Sequence, residues 1–303
     1  MSTSLEESKP QITKVQGLTD MPVEWLRWVD ENISRGCTPE SIIDTLVLNE
    51  YNKEYATQLV LRRFAGDTSV ELSMQDHSDL SQGYIYEEIG VKYTEHVVKT
   101  HDREVNVLLT IDQPRIILFG NVISKEECEQ LIELSKPKLH RSTTVENVSG
   151  KAEHHKNRTS YGTFFQINET PLIERIDRRV SELMQLPVLN GEGLQILHYQ
   201  IGGEYKPHFD YFSPKATGSR LHLAHGGQRV ATLILYLNNV EEGGETIFPE
   251  INLKIIPAQG NAVYFAYTNS KNQVDPLTLH GGCPVLKGEK YIATKWMRQN
   301  EYR

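Results

Sequence analysis

The spacing of hydrophobic residues changes along the chain from a helical period to a strand period. In residues 22–34, Trp25, Trp28 and Val29 recur at the three- and four-residue spacing of one helical face. Thr38-Pro39 is typical of an N-cap followed by proline at the first helical position. A third segment with helical spacing of its apolar residues ends before residue 66. The pattern therefore predicts a small bundle of three helices that follows a polar N-terminal tail.

From about residue 84 the period approaches two, and β-branched residues alternate with glycine- and proline-rich turns. A capping box at Ser124 to Glu127 and a Thr170-Pro171 start each predict a helix within this region. The remaining apolar segments predict strands, at residues 103–111, 114–120, 194–200, 205–212, 229–238, 245–251, 261–267 and 291–297. Many short strands separated by such turns indicate a sandwich, a jelly roll or a barrel.

The two patterns divide the chain into domains. Residues 1–66 are expected to form a helical N-terminal domain, and residues 84–303 a larger domain rich in strands. The segment between them, residues 67–83, is polar and has no hydrophobic period, so it is predicted to be a linker. The polar stretch at 141–160 is expected to be a loop, which is either an ordinary surface loop or a lid.

Composition and charge narrow the classes of protein. Of 303 residues, 38% are hydrophobic, and 40 acidic against 32 basic residues give a net charge of −8. Binding to nucleic acid is therefore not expected. No apolar run approaches the roughly 20 residues that span a bilayer, and the polar, acidic start is unlike a signal peptide. Neither a membrane nor secretion is expected.

The cysteines are three, widely spaced and without a CxxC motif: Cys37, Cys128 and Cys283. Neither a disulfide framework nor a structural zinc site is indicated by this pattern. Because free thiols persist in reducing compartments, we expect a cytoplasmic protein.

Candidate metal ligands are found among the predicted strands. His208 and Asp210 are two residues apart in a strand-like segment, so their side chains point to the same face. His280, at the end of another predicted strand, supplies a third ligand. Two histidines and one carboxylate form the metal-binding set of non-haem Fe(II) oxygenases. A carboxylate pair of Asp275 and Glu245 could instead indicate a hydrolase, but no other feature of the sequence supports it.

Lys290 follows His280 by ten residues and lies on or just before a strand that is otherwise apolar. A buried lysine needs a charged partner. The neighbouring sequence has no acid that must face it, so we expect the carboxylate of a co-substrate to be that partner.

Three segments carry a resemblance to a known family: LQILHYQIGGEYKPHFDYF (194–212), HGGQRVATLILYLNNVEEGGETIFPE (225–250) and LHGGCPVLKGEKYIATKWMR (279–298). They resemble the catalytic core of the prolyl 4-hydroxylases, which are Fe(II)- and 2-oxoglutarate-dependent dioxygenases. The resemblance covers roughly residues 113–299. It implies an α+β fold in which a jelly roll, or double-stranded β-helix, with flanking helices follows the helical N-terminal domain.

The resemblance also implies an activity and its cofactors. Fe(II), 2-oxoglutarate and O₂ would act together, with ascorbate as reductant, to hydroxylate prolyl residues of a peptide or protein and release succinate and CO₂. His208, Asp210 and His280 would hold the iron as the catalytic centre. The distal carboxylate of 2-oxoglutarate would pair with Lys290. The hydroxyls of Tyr199 and Thr246 would assist that pairing.

The positions that face the substrate in this family match four residues of this sequence: Arg158, Tyr205, Arg229 and Trp296. Two further hypotheses stay open at this point. The substrate could be a free amino acid or another small molecule, because the metal ligands and Lys290 specify only the co-substrate. Alternatively, the protein could be a binding or scaffold protein that acts through a partner of its N-terminal helices.

Overall fold

The structure of the protein is a computed structural model, and it divides into two compact units, Met1–Asp76 and His77–Arg303. The residues that the structure describes are 21, 23–49, 51–64, 83–87, 91, 93–142, 144–145, 152–153, 159–213 and 219–302.

The first unit contains the helices α1 (Val23–Ser34), α2 (Pro39–Leu48) and α3 (Lys53–Phe64). The Thr38 side chain accepts a hydrogen bond from the Ser41 amide and so caps α2. Apolar side chains from all three helices form one buried cluster. Trp25 contributes to it from a half-buried position, edge to face with Trp28 at 5.3 Å between ring centroids. The prediction of three helices is confirmed.

The second unit consists mainly of antiparallel strands with two longer helices. Its elements in chain order are β1 (Val97–Lys99), β2 (Glu104–Ile111), β3 (Arg115–Gly120), α4 (Lys125–Ser135), β4 (His140–Arg141), β5 (Thr144–Val145), β6 (Ala152–Glu153), β7 (Tyr161–Phe165), α5 (Pro171–Met184), β8 (Leu194–Tyr199), β9 (Tyr205–His208), α6 (Ser219–Leu223), β10 (Arg229–Tyr236), β11 (Glu242–Gly243), β12 (Thr246–Phe248), β13 (Leu253–Ile255), β14 (Ala262–Ala266), β15 (His280–Gly282), β16 (Val285–Lys287) and β17 (Lys290–Arg298).

Two antiparallel sheets form the centre of this unit. The larger has nine strands in the order β1-β2-β3-β14-β10-β17-β8-β7-β4, and the smaller has four in the order β13-β12-β15-β9. Their facing side chains share one buried apolar cluster, to which the large sheet contributes Tyr236 and Ile292 and the small sheet Phe248 and Ile255. Two sheets joined in this way confirm the predicted α+β jelly roll.

Helices α4 and α5 cover the other face of the large sheet. Their apolar residues, such as Leu131 and Ile176, form a second buried cluster with Leu233 of β10 and Ala293 of β17. Both helices begin where the sequence predicts. Ser124 forms a complete capping box with Glu127, and Thr170 accepts a hydrogen bond from the amide of Ile173. Because the helices cover one face of the large sheet, the polar side chains of a site can lie on its other face, inside the jelly roll.

Two predicted strands are much shorter in the structure than in the sequence pattern. The strand predicted at 205–212 ends at His208, because its partner β15 begins opposite it at His280 and the residues before β15 form a 3₁₀ turn. The Gln228 side chain bonds to the amide and the carbonyl of Phe212. The strand predicted at 245–251 ends at Phe248, where Pro249 begins a short 3₁₀ turn.

Within the stretch predicted to be a loop, the short strands β5 and β6 pair with each other. The choice between a surface loop and a lid concerns residues that for the most part lie outside those described, including Arg158. Among the helices of the described residues, none is long and apolar enough to cross a membrane.

Candidate metal centre

The three predicted metal ligands meet inside the jelly roll. Strands β9 and β15 are adjacent, and their register places His280 directly opposite His208. Asp210 was predicted to lie on the same strand as His208, but it lies in the bend that follows β9. Its side chain nevertheless points toward the two histidines. One ligand atom of each residue lies within 4.8 Å of the others.

Backbone carbonyls fix the orientation of both imidazoles. His208 Nδ1 is 2.9 Å from the carbonyl oxygen of Lys206, and His280 Nδ1 is 3.0 Å from that of Thr278. Because a carbonyl can only accept a hydrogen bond, each Nδ1 carries the proton and each Nε2 has a free lone pair. The two Nε2 atoms lie 3.6 Å and 3.5 Å from the carboxylate oxygens of Asp210. This tautomer is the one that binds metals through Nε2.

The protonation states also suit a divalent cation. Burial lowers the pKa of His280 to about 4, so this imidazole is neutral at pH 7. Burial alone would raise the pKa of Asp210, but His280 and His208 hold it well below its usual range. Thr232 adds a hydrogen bond of 2.7 Å to Asp210 Oδ2. The His280 imidazole and the Asp210 carboxylate are therefore ready to bind a metal without releasing a proton.

This set of ligands fits iron. Two imidazoles and one carboxylate on one side of an ion leave its remaining coordination positions open for small ligands. The described residues contain no other group of three suitable metal-binding side chains. His222 stacks on Phe212 instead, while His198 stacks on Tyr291 and bonds to Glu289.

Lys290 is the first residue of β17 and lies opposite Tyr199 of β8. Its side chain is buried, and Nζ lies 5.6 Å from the centroid of the Tyr199 ring. Burial lowers the pKa of Lys290 to about 8. In the described part of the chain its ammonium forms no salt bridge, and the charge of Glu245 only partly offsets the effect of burial on its pKa. A buried positive charge of this kind favours the binding of a carboxylate.

Thr246 lies close to this lysine. It is opposite Gly282 on β15, and a side chain added at Gly282 would begin 3.7 Å from Lys290 Nζ. The Thr246 hydroxyl accepts a hydrogen bond of 2.9 Å from the wholly buried Tyr236. Tyr236 thereby orients Thr246, which sequence reasoning missed because the two residues belong to different sheets. Gly244, in the EEGGET segment, gives the lysine room: a side chain there would meet Lys290 Cδ at 3.3 Å.

Three of the residues predicted to face the substrate lie near the metal ligands. The Tyr205 ring stacks on His208 at 3.6 Å between centroids. The Arg229 guanidinium lies 3.9 Å from the centroid of the Trp296 ring and donates a hydrogen bond to the backbone carbonyl of Asp210. The Trp296 Nε1 atom is buried and has no hydrogen-bond partner among the residues described.

Glu192 is a residue of this region that sequence reasoning missed. It accepts hydrogen bonds of 2.7 Å and 2.8 Å from Arg229, which makes a two-point ion pair, and one of 2.6 Å from Arg298. Arg229 and Arg298 hold the pKa of Glu192 below its usual range against the opposing effect of burial. The glutamate therefore fixes the guanidinium that covers Trp296. A lone glutamate between two glycines gives no sequence signal for such a pair.

Replacing Glu192 with glutamine is expected to lower the free energy of unfolding by about 3 kcal/mol, because the loss of one charge from a buried ion pair leaves the other uncompensated. Urea unfolding measures this change. Glu133→Gln is the control, since Glu133 pairs with Lys136 on the surface and its loss should not move the midpoint. Equal midpoints for the two variants would contradict the importance of the buried pair.

Comparison with known proteins agrees with this geometry. The sequence profile of the 2OG-Fe(II) oxygenase superfamily matches residues 194–298. "Probable prolyl 4-hydroxylase 3" from Arabidopsis thaliana is 36% identical over 78% of this chain and 87% of its own length. "Probable prolyl 4-hydroxylase 10" from the same plant is 40% identical over 63% of this chain and 71% of its own.

A viral collagen prolyl hydroxylase from Paramecium Bursaria Chlorella virus-1, solved as a 2OG complex, is similar with 29% identity and a TM-score of 0.48, over 60% of this chain and 95% of that one. The family assignment rests on the Arabidopsis relative that is 36% identical over most of both chains. The matched profile includes all three predicted metal ligands. The chain accordingly belongs to the prolyl 4-hydroxylases of the 2OG-Fe(II) oxygenase superfamily.

Proposed function

We propose that this protein hydroxylates prolyl residues in a peptide or protein, using Fe(II), 2-oxoglutarate and O₂ and releasing succinate and CO₂. The observation that carries the proposal is the pairing of two features inside one jelly roll. One is a set of two imidazoles and one ionised carboxylate, and the other is a buried lysine that forms no salt bridge within the described residues. Membership of the prolyl 4-hydroxylases supports it.

His208, Asp210 and His280 would hold the iron, with each imidazole kept in the Nε2-binding tautomer by its backbone carbonyl. When bound, iron supplies the activation of O₂ that is coupled to oxidative decarboxylation of 2-oxoglutarate. The protein contributes binding and orientation. Thr232 holds the Asp210 carboxylate in place through its hydrogen bond to Oδ2.

Lys290 would bind the distal carboxylate of 2-oxoglutarate through a charge-assisted hydrogen bond, with Tyr199 and Thr246 as hydroxyl partners. All three side chains are buried, at 3–4% exposure, so water is largely excluded from the pair. A charge pair in such surroundings is stronger than one in water and fixes the direction in which the co-substrate enters the metal centre.

Arg229, Trp296, Tyr205 and Arg158 are proposed to contact the prolyl substrate. A polypeptide suits the described residues better than a free amino acid does. A free amino acid would need charged partners for its ammonium and its carboxylate, yet Arg229 and Glu192 are already bonded to each other. Phe164, which is tilted toward Trp296 at 6.5 Å between ring centroids, is about half exposed, so this side of the site is open to the surface.

The division of the chain into a helical domain at 1–66, a linker at 67–83 and a catalytic domain at 84–303 is part of this proposal. A reducing, cytoplasmic location is proposed as well, supported by three cysteines that form no disulfide with one another. The helical domain is proposed to bind a protein partner. This role is compatible with catalysis and does not replace it.

We expect the purified full-length chain to form succinate when it is given Fe(II), ascorbate, O₂, 2-oxoglutarate and a proline-containing peptide. The peptide should gain the mass of one oxygen atom, and fragmentation should place that atom on proline. The same peptide with alanine in place of proline is the control, and free proline tests the small-molecule alternative. Succinate formation that neither prolyl substrate stimulates would contradict the proposed substrate.

A further inference from the structure

Asp275 is a wholly buried carboxylate that the proposed reaction does not use. Its Oδ1 atom accepts a hydrogen bond of 2.9 Å from the Leu277 amide, and its carbonyl accepts one of 2.7 Å from the Thr278 hydroxyl. These two bonds cap the short 3₁₀ turn Pro276–Thr278. Asp275 therefore determines where the backbone of this turn lies.

The turn leads directly to a proposed metal ligand. The carbonyl oxygen of Thr278 accepts the hydrogen bond from His280 Nδ1, at 3.0 Å. Any shift of this carbonyl rotates the imidazole, because a histidine ligand takes its direction from the partner of its second nitrogen. Through two hydrogen-bonded steps, Asp275 thus holds the orientation of His280.

A second connection runs from Asp275 to the carboxylate ligand. The Asp275 amide donates a hydrogen bond of 2.8 Å to the carbonyl of Tyr267. The Tyr267 hydroxyl lies 3.0 Å from the Thr232 hydroxyl, which in turn donates to Asp210 Oδ2 at 2.7 Å. This route uses only the backbone of Asp275, so the Asp275 carboxylate itself acts on the metal centre through the turn and His280.

The remaining oxygen of Asp275 faces aromatic residues. Tyr86 is directed at the carboxylate, but Asp275 Oδ2 and the Tyr86 hydroxyl, both buried, complete no hydrogen bond of good geometry. Segment 83–87, which carries Tyr86, is attached to the turn before Asp275 by a hydrogen bond from the Ser270 amide to Glu87 and one from the Ile85 amide to Gln273 Oε1. A buried carboxylate that is only partly satisfied is costly to a fold and needs a reason.

We propose that Asp275 is a positioning residue of the metal centre, which aims His280 at the ion without touching it. The proposal rests on the metal site proposed above. It predicts that loss of the Asp275 cap weakens metal binding, whereas general destabilisation elsewhere in the unit does not.

Cobalt(II) binding to the purified full-length chain, followed by the visible absorption of the bound ion, tests this without turnover. Asp275→Ala should weaken Co²⁺ binding by about tenfold or more, in the range typical of residues that orient metal ligands. Asp275→Asn keeps an oxygen for the Leu277 amide and offers an N–H to Tyr86, so it should bind Co²⁺ nearly as the original protein does.

Asp177→Asn is the matched control. Asp177 is equally buried and pairs with Lys295 at 2.7 Å, but it has no hydrogen-bonded route to the ligands in the described residues. It should lower the unfolding midpoint and leave Co²⁺ binding unchanged. Wild-type affinity in a folded Asp275→Ala variant, or equal weakening in Asp177→Asn, would overturn the proposal.

If Asp275→Ala fails to fold, Thr278→Val replaces it, because this change removes the hydroxyl that bonds to Asp275 and keeps the carbonyl that orients His280. Weaker Co²⁺ binding is expected for this variant, and unchanged binding would contradict the positioning role. His280→Ala separates the two proposals: if it binds Co²⁺ as well as the original protein does, the metal site itself is wrong.

Discussion

Replacing His280 with alanine is expected to abolish succinate formation and to lower the affinity for Fe(II) by more than about 100-fold. His280 supplies one of only two imidazoles in the group, and it is 97% buried and already neutral at pH 7. Removal of a partner that merely orients a ligand typically costs about 10- to 100-fold in metal affinity, so loss of the ligand itself must cost more. Bound iron after desalting and succinate formation are the measurements.

His198→Ala is the matched control for this experiment. His198 is also a strand histidine at low exposure, but it stacks on Tyr291 and bonds to Glu289 rather than to the metal group. We expect this variant to keep its iron and its activity. Retention of iron by His280→Ala, or an equal loss in both variants, would show that the three-residue group is not the metal site.

Features that depend on neighbours along the chain could be predicted from the sequence. The N-caps Thr38, Ser124 and Thr170 all act as predicted, because each bond joins residues only three apart. The two metal ligands of the HxD motif were found for the same reason. Their third partner could be proposed because histidine at the edge of a strand is a recognisable chemical signal.

Features that depend on contacts between distant segments could not be predicted. The strand that begins at Tyr205 ends at His208 because its pairing partner begins at His280, 72 residues further along the chain (280 − 208). Glu192 pairs with Arg229 and Arg298, which are 37 and 106 residues away. Neither pairing leaves a periodic pattern, since hydrophobic spacing reports burial and not the identity of polar partners.

The site nevertheless follows from the topology. Antiparallel register places His280 opposite His208 and Lys290 opposite Tyr199. Residues that were predicted separately, each from its own strand, therefore lie on adjoining strands. Lys290 was predicted from the argument that a lysine in a buried strand needs an anion, and the family resemblance implies the same partner. Its burial and its lowered pKa make it the most direct test of 2-oxoglutarate binding.

Replacing Lys290 with methionine is expected to raise the KM for 2-oxoglutarate by about 30-fold or more. Methionine keeps most of the length of the side chain and removes the charge, and loss of one partner from a buried charge pair costs about 2 kcal/mol or more. Lys99→Met is the control, because Lys99 is exposed on β1 and pairs with Glu104 at 3.3 Å. Its KM should not change.

The same lysine predicts how binding depends on pH. With a pKa of about 8 in the absence of co-substrate, Lys290 loses its charge as the pH rises, so 2-oxoglutarate should bind about tenfold more weakly at pH 9 than at pH 7.

The contribution of Lys290 to folding stability has the opposite dependence on pH. The unfolded lysine titrates near 10.4 and holds more protons than the folded one between pH 8 and that value, so the contribution of Lys290 to stability rises with pH there. Weaker binding at high pH therefore cannot arise from unfolding through this residue. Titration calorimetry with 2-oxoglutarate from pH 7 to pH 9 measures the effect, which should vanish in Lys290→Met; a pH dependence that persists in that variant would assign the carboxylate to a different cation.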